Sequence, residues 1–185
     1  MSIIVEKYGG SSLATIEQIN NIAQRVIRSK SKGYQMVIVV SAMGKTTDNL
    51  ISLAKSVNPN PCERELGLLL STGEIISACL LSLAIQNLGY ASTALTGAQA
   101  GIQTEGPFDN SRISSIHPER IIDLLDKDEI VIVTGFQGVQ NEEVTVLGRG
   151  GSDATAVALA SSLGATSCFI YTDVRGVYTW PAFFL

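Results

Sequence analysis

The fold is decided by residues 3–12, IIVEKYGGSS, where an apolar run ends in a lysine and a pair of glycines. The run at 3–5 has the character of a buried strand, and the glycines predict a tight turn into a helix start. We therefore expect the Lys7 ammonium to reach a phosphate held by the N–H groups of Gly9, Gly10 and that helix start. Taken alone, the motif is equally typical of a surface lysine before a turn.

A second loop, LGRGGSDATA at residues 147–156, has the same character. Three glycines and Arg149 lead directly into a helix of small residues, whose free N–H groups face the loop. A helix N-terminus beside an arginine is typical of an anion site. Two such loops on one sheet predict a phosphoryl-transfer enzyme.

Strand-length apolar runs alternate with helical patterns along the chain. The runs, mostly without polar alternation, are typical of parallel strands covered on both faces and occupy residues 3–5, 36–40, 91–95, 130–134 and 168–172. The helical patterns occupy residues 15–30, 48–57, 63–70, 74–88, 118–126 and 153–163. This order predicts an open, doubly wound α/β sheet with ligands beyond the carboxyl ends of its strands. A hairpin around 140–141 predicts an antiparallel excursion.

Composition limits the class of protein. The chain has 185 residues, 45% hydrophobic and 16% charged, which fits one domain with a sizeable core. A net charge of -4 without a lysine and arginine stripe excludes nucleic acid as the expected partner. Neither a basic leader nor an apolar run of about 20 residues is evident, so we expect a cytoplasmic protein without a membrane span. Cys62, Cys79 and Cys168 are expected to be reduced, buried thiols.

Two familiar nucleotide motifs do not fit. The tripeptide 44–46 (GKT) resembles the end of a Walker A loop, but Val39 stands where that loop needs a glycine. The loop at 148–153 begins like a dinucleotide fingerprint, yet Asp153 replaces its third glycine. One histidine with scattered cysteines also makes a zinc site improbable.

Other polar positions are ambiguous in isolation. The loop 41–48 offers hydroxyls after a strand, which can bind a ligand or only cap a helix. Glu74 lies between two apolar helical stretches, where a charge is costly unless it is paired; it could hold a ligand amine or cap its helix. Asp173 ends a strand, where it can face a ribose, a magnesium ion or a catalytic lysine, or simply form a turn.

Taken in order, five motifs resemble the aspartokinases, a branch of the amino-acid kinases. They lie at residues 5–12 (VEKYGGSS), 40–48 (VSAMGKTTD), 71–74 (STGE), 147–153 (LGRGGSD) and 171–179 (YTDVRGVYT). The resemblance covers about residues 3–179. It implies a three-layer αβα sandwich of the carbamate kinase-like type with a mostly parallel sheet. It also implies transfer of the γ-phosphoryl group of ATP, with Mg²⁺, to the side-chain carboxylate of L-aspartate.

The resemblance also implies residue roles. Lys7, Gly9, Gly10 and Asp173 would be catalytic. On the substrate side, Arg149 would hold the α-carboxylate and Glu74 the ammonium, and three hydroxyl residues would complete the pocket: Ser41, Thr47 and Ser152. On the nucleotide side, the expected residues are Lys7, Gly9, Gly10, Ser11, Thr172, Asp173 and Tyr178. No protein metal ligand is expected, and a homo-oligomer is compatible with the family.

The sequence departs from the family pattern after Thr179, where residues 180–185 read WPAFFL. We expect residues 1–179 to form an incomplete catalytic domain, 180–185 to be an atypical apolar tail, and the regulatory ACT domains to be absent. Two alternatives to aspartate phosphorylation stay open at this point. One is a kinase for another amino acid, such as glutamate or acetylglutamate. The other is an impaired remnant that still binds aspartate.

Overall fold

The computed structural model describes residues 2–172, which form nine strands and five α-helices around a central parallel sheet. The strands are β1 (Ile3–Tyr8), β2 (Gln35–Val40), β3 (Ser92–Leu95), β4 (Ile102–Glu105), β5 (Arg112–Ile116), β6 (Ile130–Thr134), β7 (Gln137–Gln140), β8 (Glu143–Val146) and β9 (Ser167–Tyr171). The helices are α1 (Ile16–Lys30), α2 (Thr46–Val57), α3 (Glu63–Asn87), α4 (Glu119–Asp126) and α5 (Gly151–Ser162).

The central sheet has the strand order β3-β6-β2-β1-β9, and its pairs are all parallel. Strand β2 reads QMVIVV and is almost wholly buried, because helices cover both faces. One apolar core lies under α1 and α3, and the other lies under α4 and α5. The predicted αβα sandwich with a mostly parallel sheet is confirmed.

The start of α1 shows how local sequence fixes an element. The Thr15 hydroxyl accepts from the Gln18 backbone N–H at 3.2 Å, and the Gln18 side chain accepts from the Thr15 N–H at 3.1 Å. This reciprocal pair satisfies two N–H groups that an uncapped helix leaves free. A short 3₁₀ turn at Gly10–Leu13 separates β1 from α1.

A second sheet has four strands in the order β5-β4-β7-β8. The predicted hairpin is confirmed as β7 and β8, which pair antiparallel. Its two turn residues, Asn141 and Glu142, both have positive φ, as a tight two-residue hairpin turn requires. Strand β4 was not predicted, because residues 97–111 carry turn residues and little periodicity. Strand β5, which directly follows that segment, was not predicted either.

Helix α3 corrects the prediction of two helices at 63–70 and 74–88. Residues 71–74 continue one 25-residue helix. Gly73 lies in its interior because a Cβ there would come within 2.9 Å of the Ala42 side chain. The small residue therefore lets α3 pass close to the loop after β2, and its cost in helix propensity is about 1 kcal/mol.

Two further expectations were wrong. We expected no apolar run near membrane-spanning length, yet α3 is long and apolar enough for one by length and composition. Half of that stretch is buried here, as in the core helix of a globular fold. The three cysteines are free, as expected, but all are exposed rather than buried. Periodicity did not reveal which face of each element they occupy.

Candidate active site

A cleft of about 280 Å³ opens at the carboxyl ends of β1 and β2 and at the N-terminus of α5. The cleft brings together residues that are far apart in sequence and were predicted from separate motifs. The predicted residues that line it are Lys7, Gly10, Ser41, Thr47, Glu74, Arg149 and Ser152. All five residues expected on the substrate side are thus in one place.

Lys7 lies on the floor of the cleft and is 7% exposed. Its Nζ is 2.7 Å from Oδ1 of Asp153, whose side chain is 47% exposed. Asp153 belongs to the first turn of α5. The ion pair holds the end of β1 against the start of α5 and fixes the direction of the ammonium. In the sequence analysis, Asp153 was considered only as the residue that replaces the third glycine of a dinucleotide fingerprint. Its position in the first turn of a helix, beside a glycine loop, was the signal that could have indicated its role.

Glu74 also belongs to this buried floor and is 2% exposed. Its Oε1 accepts from the Ala42 backbone N–H at 3.1 Å, while its Oε2 is buried without a hydrogen-bond partner among the described residues. Burial raises the pKa of this carboxyl from 4.5 to about 7. A buried carboxylate with one unsatisfied oxygen is a place where a ligand cation would be stabilised.

Arg149 lies on the exposed side of the cleft, in the glycine loop before α5. Gly150 has φ of +77°, a conformation that a side chain disfavours. A Cβ on Gly151 would come within 2.6 Å of the Leu147 Cβ. The loop is therefore built from glycines for steric reasons. Within residues 2–172, Arg149 has no ion pair, so its guanidinium is available to a ligand.

Phe136 also lines the cleft, and sequence reasoning missed it. It has φ of +68°, which is rare for a bulky residue and stores about 1–3 kcal/mol of strain. Its carbonyl accepts from the Leu147 N–H at 2.7 Å, and its N–H donates to the Thr155 hydroxyl at 3.3 Å. These bonds tie the end of β6 to the glycine loop and to α5. No sequence signal marked this position.

Gln137, next in the chain, is 2% exposed and connects two further segments. Its Nε2 donates to the Ser71 carbonyl at 2.9 Å, and its Oε1 accepts from the Gly97 N–H at 3.4 Å. Ser71 is three residues before Glu74 on α3. The Gln137 amide thus fixes α3 relative to the strand that follows Phe136.

A neighbouring cavity of about 450 Å³ contains the described residues of the expected nucleotide side. It is lined by Lys7, Gly9, Gly10, Ser11, Ser41, Gly44, Lys45 and Thr172. Lys7 and Gly10 border both cavities, so a phosphoryl group could lie between them. Lys45 was not predicted. Asp173 and Tyr178, the other expected residues, lie outside the described part of the chain.

The glycines after β1 have different roles. A Cβ on Gly10 would come within 2.6 Å of the Ala42 carbonyl, so this position lets the first two loops touch. The Gly9 N–H donates to the Tyr171 carbonyl at 3.3 Å. We expected this amide to face a phosphate, and in the structure it connects β1 to β9 instead.

Comparison with known proteins identifies the family of the chain. The family model described as "Amino acid kinase family" matches residues 2–182. The fold and the cleft define a kinase-type α/β domain, and the chain belongs to the amino acid kinase family.

The relatives narrow the similarity within that family. The chain is 53% identical over 180 residues to aspartokinase 2 of Bacillus subtilis and 54% identical to an aspartokinase of Geobacillus stearothermophilus. These matches cover 97% of this chain but only 44% of each relative, so the chain spans less than half the length of the curated relatives it matches.

Solved structures of aspartate kinases also resemble this chain. An aspartate kinase from Synechocystis matches with a TM-score of 0.80 and 48% identity, covering 94% of this chain and 29% of that one. Aspartokinase III of E. coli, solved with aspartate and ADP, matches with a TM-score of 0.84 over 96% of this chain and 50% of its own. At 23% identity, that second match supports the fold alone.

Proposed function

We propose that the protein transfers the γ-phosphoryl group of ATP to the side-chain carboxylate of L-aspartate. The observation that carries this proposal is that one cleft is lined both by Glu74, which is buried with one unsatisfied oxygen, and by Arg149, which has no ion pair among the described residues. An α-amino acid carries the complementary charges: its ammonium can pair with Glu74 and its carboxylate with Arg149. Relatives at about half identity are named aspartokinase, which supports aspartate as that amino acid.

The chemistry that the residues must supply is limited. The aspartate side chain, with an ordinary pKa of about 3.9, is already ionised near neutral pH, so no general base is needed. A carboxylate oxygen forms the new bond to the γ-phosphorus as the bond to the ADP oxygen breaks. The requirement is to hold two anions together and to neutralise the transferring group.

Lys7 is placed for that task. It borders both the substrate cleft and the neighbouring cavity, and Asp153 fixes its ammonium. Glu74 would bind the substrate ammonium, and Arg149 would bind the α-carboxylate as a bidentate fork. The hydroxyls of Ser41, Thr47 and Ser152 would complete the pocket. On the nucleotide side, Ser11 and Thr172 would contact phosphate, and the same proposal includes Asp173 and Tyr178.

The described residues do not themselves form a metal site. Residues 2–172 contain no cluster of three histidine, cysteine, aspartate or glutamate side chains that could hold an ion. Mg²⁺ is part of the proposal only as the ion that accompanies ATP, since it usually keeps phosphate and water ligands. A cytoplasmic location belongs to the proposal as well, because ATP and free amino acids are available there.

Titration calorimetry with L-aspartate and with analogues that lack one of its charged groups tests the proposal. L-aspartate should bind, while succinate, which lacks the ammonium, and β-alanine, which lacks the α-carboxylate, should each bind at least about tenfold more weakly. L-glutamate is the competitor with one more methylene. Tighter binding of glutamate would move the assignment to another amino-acid kinase.

Turnover is measured separately, with Mg-ATP and hydroxylamine to trap the acyl phosphate. A rate of about 1–100 per second is ordinary for a kinase and would support catalysis by this chain. Aspartate binding without turnover would instead support the binding-remnant alternative.

A further inference from the structure

Besides the cleft, Arg149 lines a second cavity, of about 410 Å³, which lies behind the glycine loop between β5 and α5. It does not contain Lys7, Glu74 or any other residue of the cleft's floor. It shares only a wall with the cleft, formed by Gly148, Arg149 and Gly151, which line both cavities. Arg149 therefore borders two separate spaces.

The lining of this second cavity has one sign of charge. Arg112 and Arg149 are its charged residues, and no acidic residue lines it. Neither arginine has an ion pair within the described residues. In a chain with a net charge of -4, two unpaired guanidinium groups at one cavity are a feature that suits an anion.

The remaining walls are mostly apolar. Ile113 and Leu147 line one side, and Ala154 and Ala158 of α5 line the other. Asn110 adds a side-chain amide at the rim. Such walls do not favour a fully hydrated inorganic ion; they favour a ligand with a carboxylate at one end and a short apolar chain at the other.

We propose that this cavity binds a small carboxylate with a short apolar chain, held by Arg112 and Arg149, and that its binding opposes binding of the amino acid in the cleft. The second part rests on the proposed function, because it assigns Arg149 to the substrate α-carboxylate. One guanidinium cannot make its bidentate contact to two carboxylates in different cavities. The glycines on either side of Arg149 give it the freedom to serve either.

The coupling must be reciprocal. A ligand that draws Arg149 toward Arg112 raises the dissociation constant of aspartate, and aspartate raises that of the ligand by the same factor. The site would thus act as a small-molecule control on substrate affinity that leaves Lys7 and Asp153 untouched.

The test uses butyrate as the probe, with n-butylamine as the charge-reversed control, on the 185-residue chain. Saturation-transfer NMR reads butyrate binding directly, and calorimetry reads the aspartate Kd with and without butyrate. Butyrate, but not butylamine, should bind and should raise the aspartate Kd at least about fivefold.

Variants separate the two cavities. Arg112→Ala should abolish the effect of butyrate and leave the aspartate Kd in its absence unchanged. Ala154→Leu, at an exposed helix position that lines the cavity, should weaken the effect of butyrate by narrowing the cavity. Arg120→Ala removes an equal charge from α4 and should behave like the unaltered chain.

Two results would overturn the proposal. The first is undiminished competition by butyrate in Arg112→Ala, because butyrate would then occupy the cleft itself. The second is the absence of butyrate saturation transfer in the unaltered chain. If the proposed function itself is wrong, the result differs: aspartate would not bind, while the NMR measurement would still detect butyrate in the second cavity.

Discussion

The two sides of the cleft are built differently. Lys7 and Glu74 form a buried floor on regular elements, β1 and α3, and each has a partner within the protein. Arg149 forms an exposed wall on a glycine loop and has no ion pair among the described residues. The buried floor is therefore fixed before a ligand arrives, whereas the exposed wall can adjust to it. Changes in the buried floor should alter both stability and function; changes in the exposed wall should alter binding alone.

The largest effect is expected for Lys7→Ala. Loss of one preorganised positive group at a transferring phosphoryl should lower kcat by about 10²–10³ and change the aspartate KM much less. Steady-state kinetics in the hydroxylamine assay measures both constants. Lys55→Ala, an exposed lysine of α2 outside both cavities, is the control for loss of charge. A raised KM with unchanged kcat in Lys7→Ala would place this lysine in substrate binding instead.

Glu74→Gln should separate stability from binding. Because the pKa of Glu74 in the folded protein is about 7 rather than 4.5, the free energy of unfolding should fall as pH rises from about 4.5 through 7. Glutamine keeps the oxygen that accepts from the Ala42 N–H and has no charge to bury. The variant should therefore be more stable above pH 7, by up to about 3 kcal/mol, and should bind aspartate more weakly.

Urea unfolding at pH 5 and pH 8 measures the first effect, and calorimetry measures the second. Glu129→Gln serves as the control, since the Glu129 carboxylate also accepts a hydrogen bond, from the Thr93 hydroxyl. A Glu74→Gln variant that is less stable than the parent at pH 8 would show that the carboxylate is stabilised in the folded protein.

Arg149→Lys should weaken aspartate binding by about 1.5–3 kcal/mol, since an ammonium cannot reproduce a bidentate fork. The free energy of unfolding should stay within about 0.5 kcal/mol of the parent, because the exposed side chain has no ion pair to lose. Calorimetry and urea unfolding measure the two quantities. Unchanged binding with an intact fold would remove Arg149 from the site.

The pH dependence of aspartate binding should distinguish Glu74 from Arg149. Only ionised Glu74 can pair with an ammonium, so the aspartate affinity should fall as pH falls below about 7, approaching tenfold per pH unit. In Glu74→Gln this dependence should disappear, whereas Arg149→Lys should retain it. Calorimetric Kd values between pH 5.5 and 8 provide the measurement. A pH-independent Kd in the parent would exclude Glu74 as the group that binds the ammonium.

The smallest effect is expected for Gln137→Met, which keeps the volume but removes the amide that bonds to Ser71 and Gly97. Stability should fall by about 1 kcal/mol. The aspartate KM should rise modestly while kcat is nearly unchanged, because α3 positions Glu74 and not Lys7. Gln103→Met on β4 is the control. A kcat effect larger than the KM effect would contradict this role.

The sequence predicted the cleft better than the structure around it. Local signals marked Lys7 at a strand end, Glu74 in an apolar stretch and Arg149 in a glycine loop. The resemblance supplied their roles, which stay predictions. Phe136 and Asp153 were missed because their roles depend on contacts between distant segments. The continuity of α3 was missed for the same reason: Gly73 and Glu74 look like a break until the loop at Ala42 is placed against them.

The position of β1 has a consequence for the nascent chain. Strand β1 can pair with β2 once residue 40 has left the ribosome, but its other edge pairs with β9, where Ile4 lies opposite Ser167. At about 5–20 residues per second, synthesis reaches β9 roughly 8 to 30 s after β1. During that interval a row of backbone N–H and C=O groups, next to the lysine on which phosphoryl transfer would depend, is open to any extended segment. This edge stays open until β9 has left the ribosome, and a ribosomal pause before β9 would lengthen the exposure.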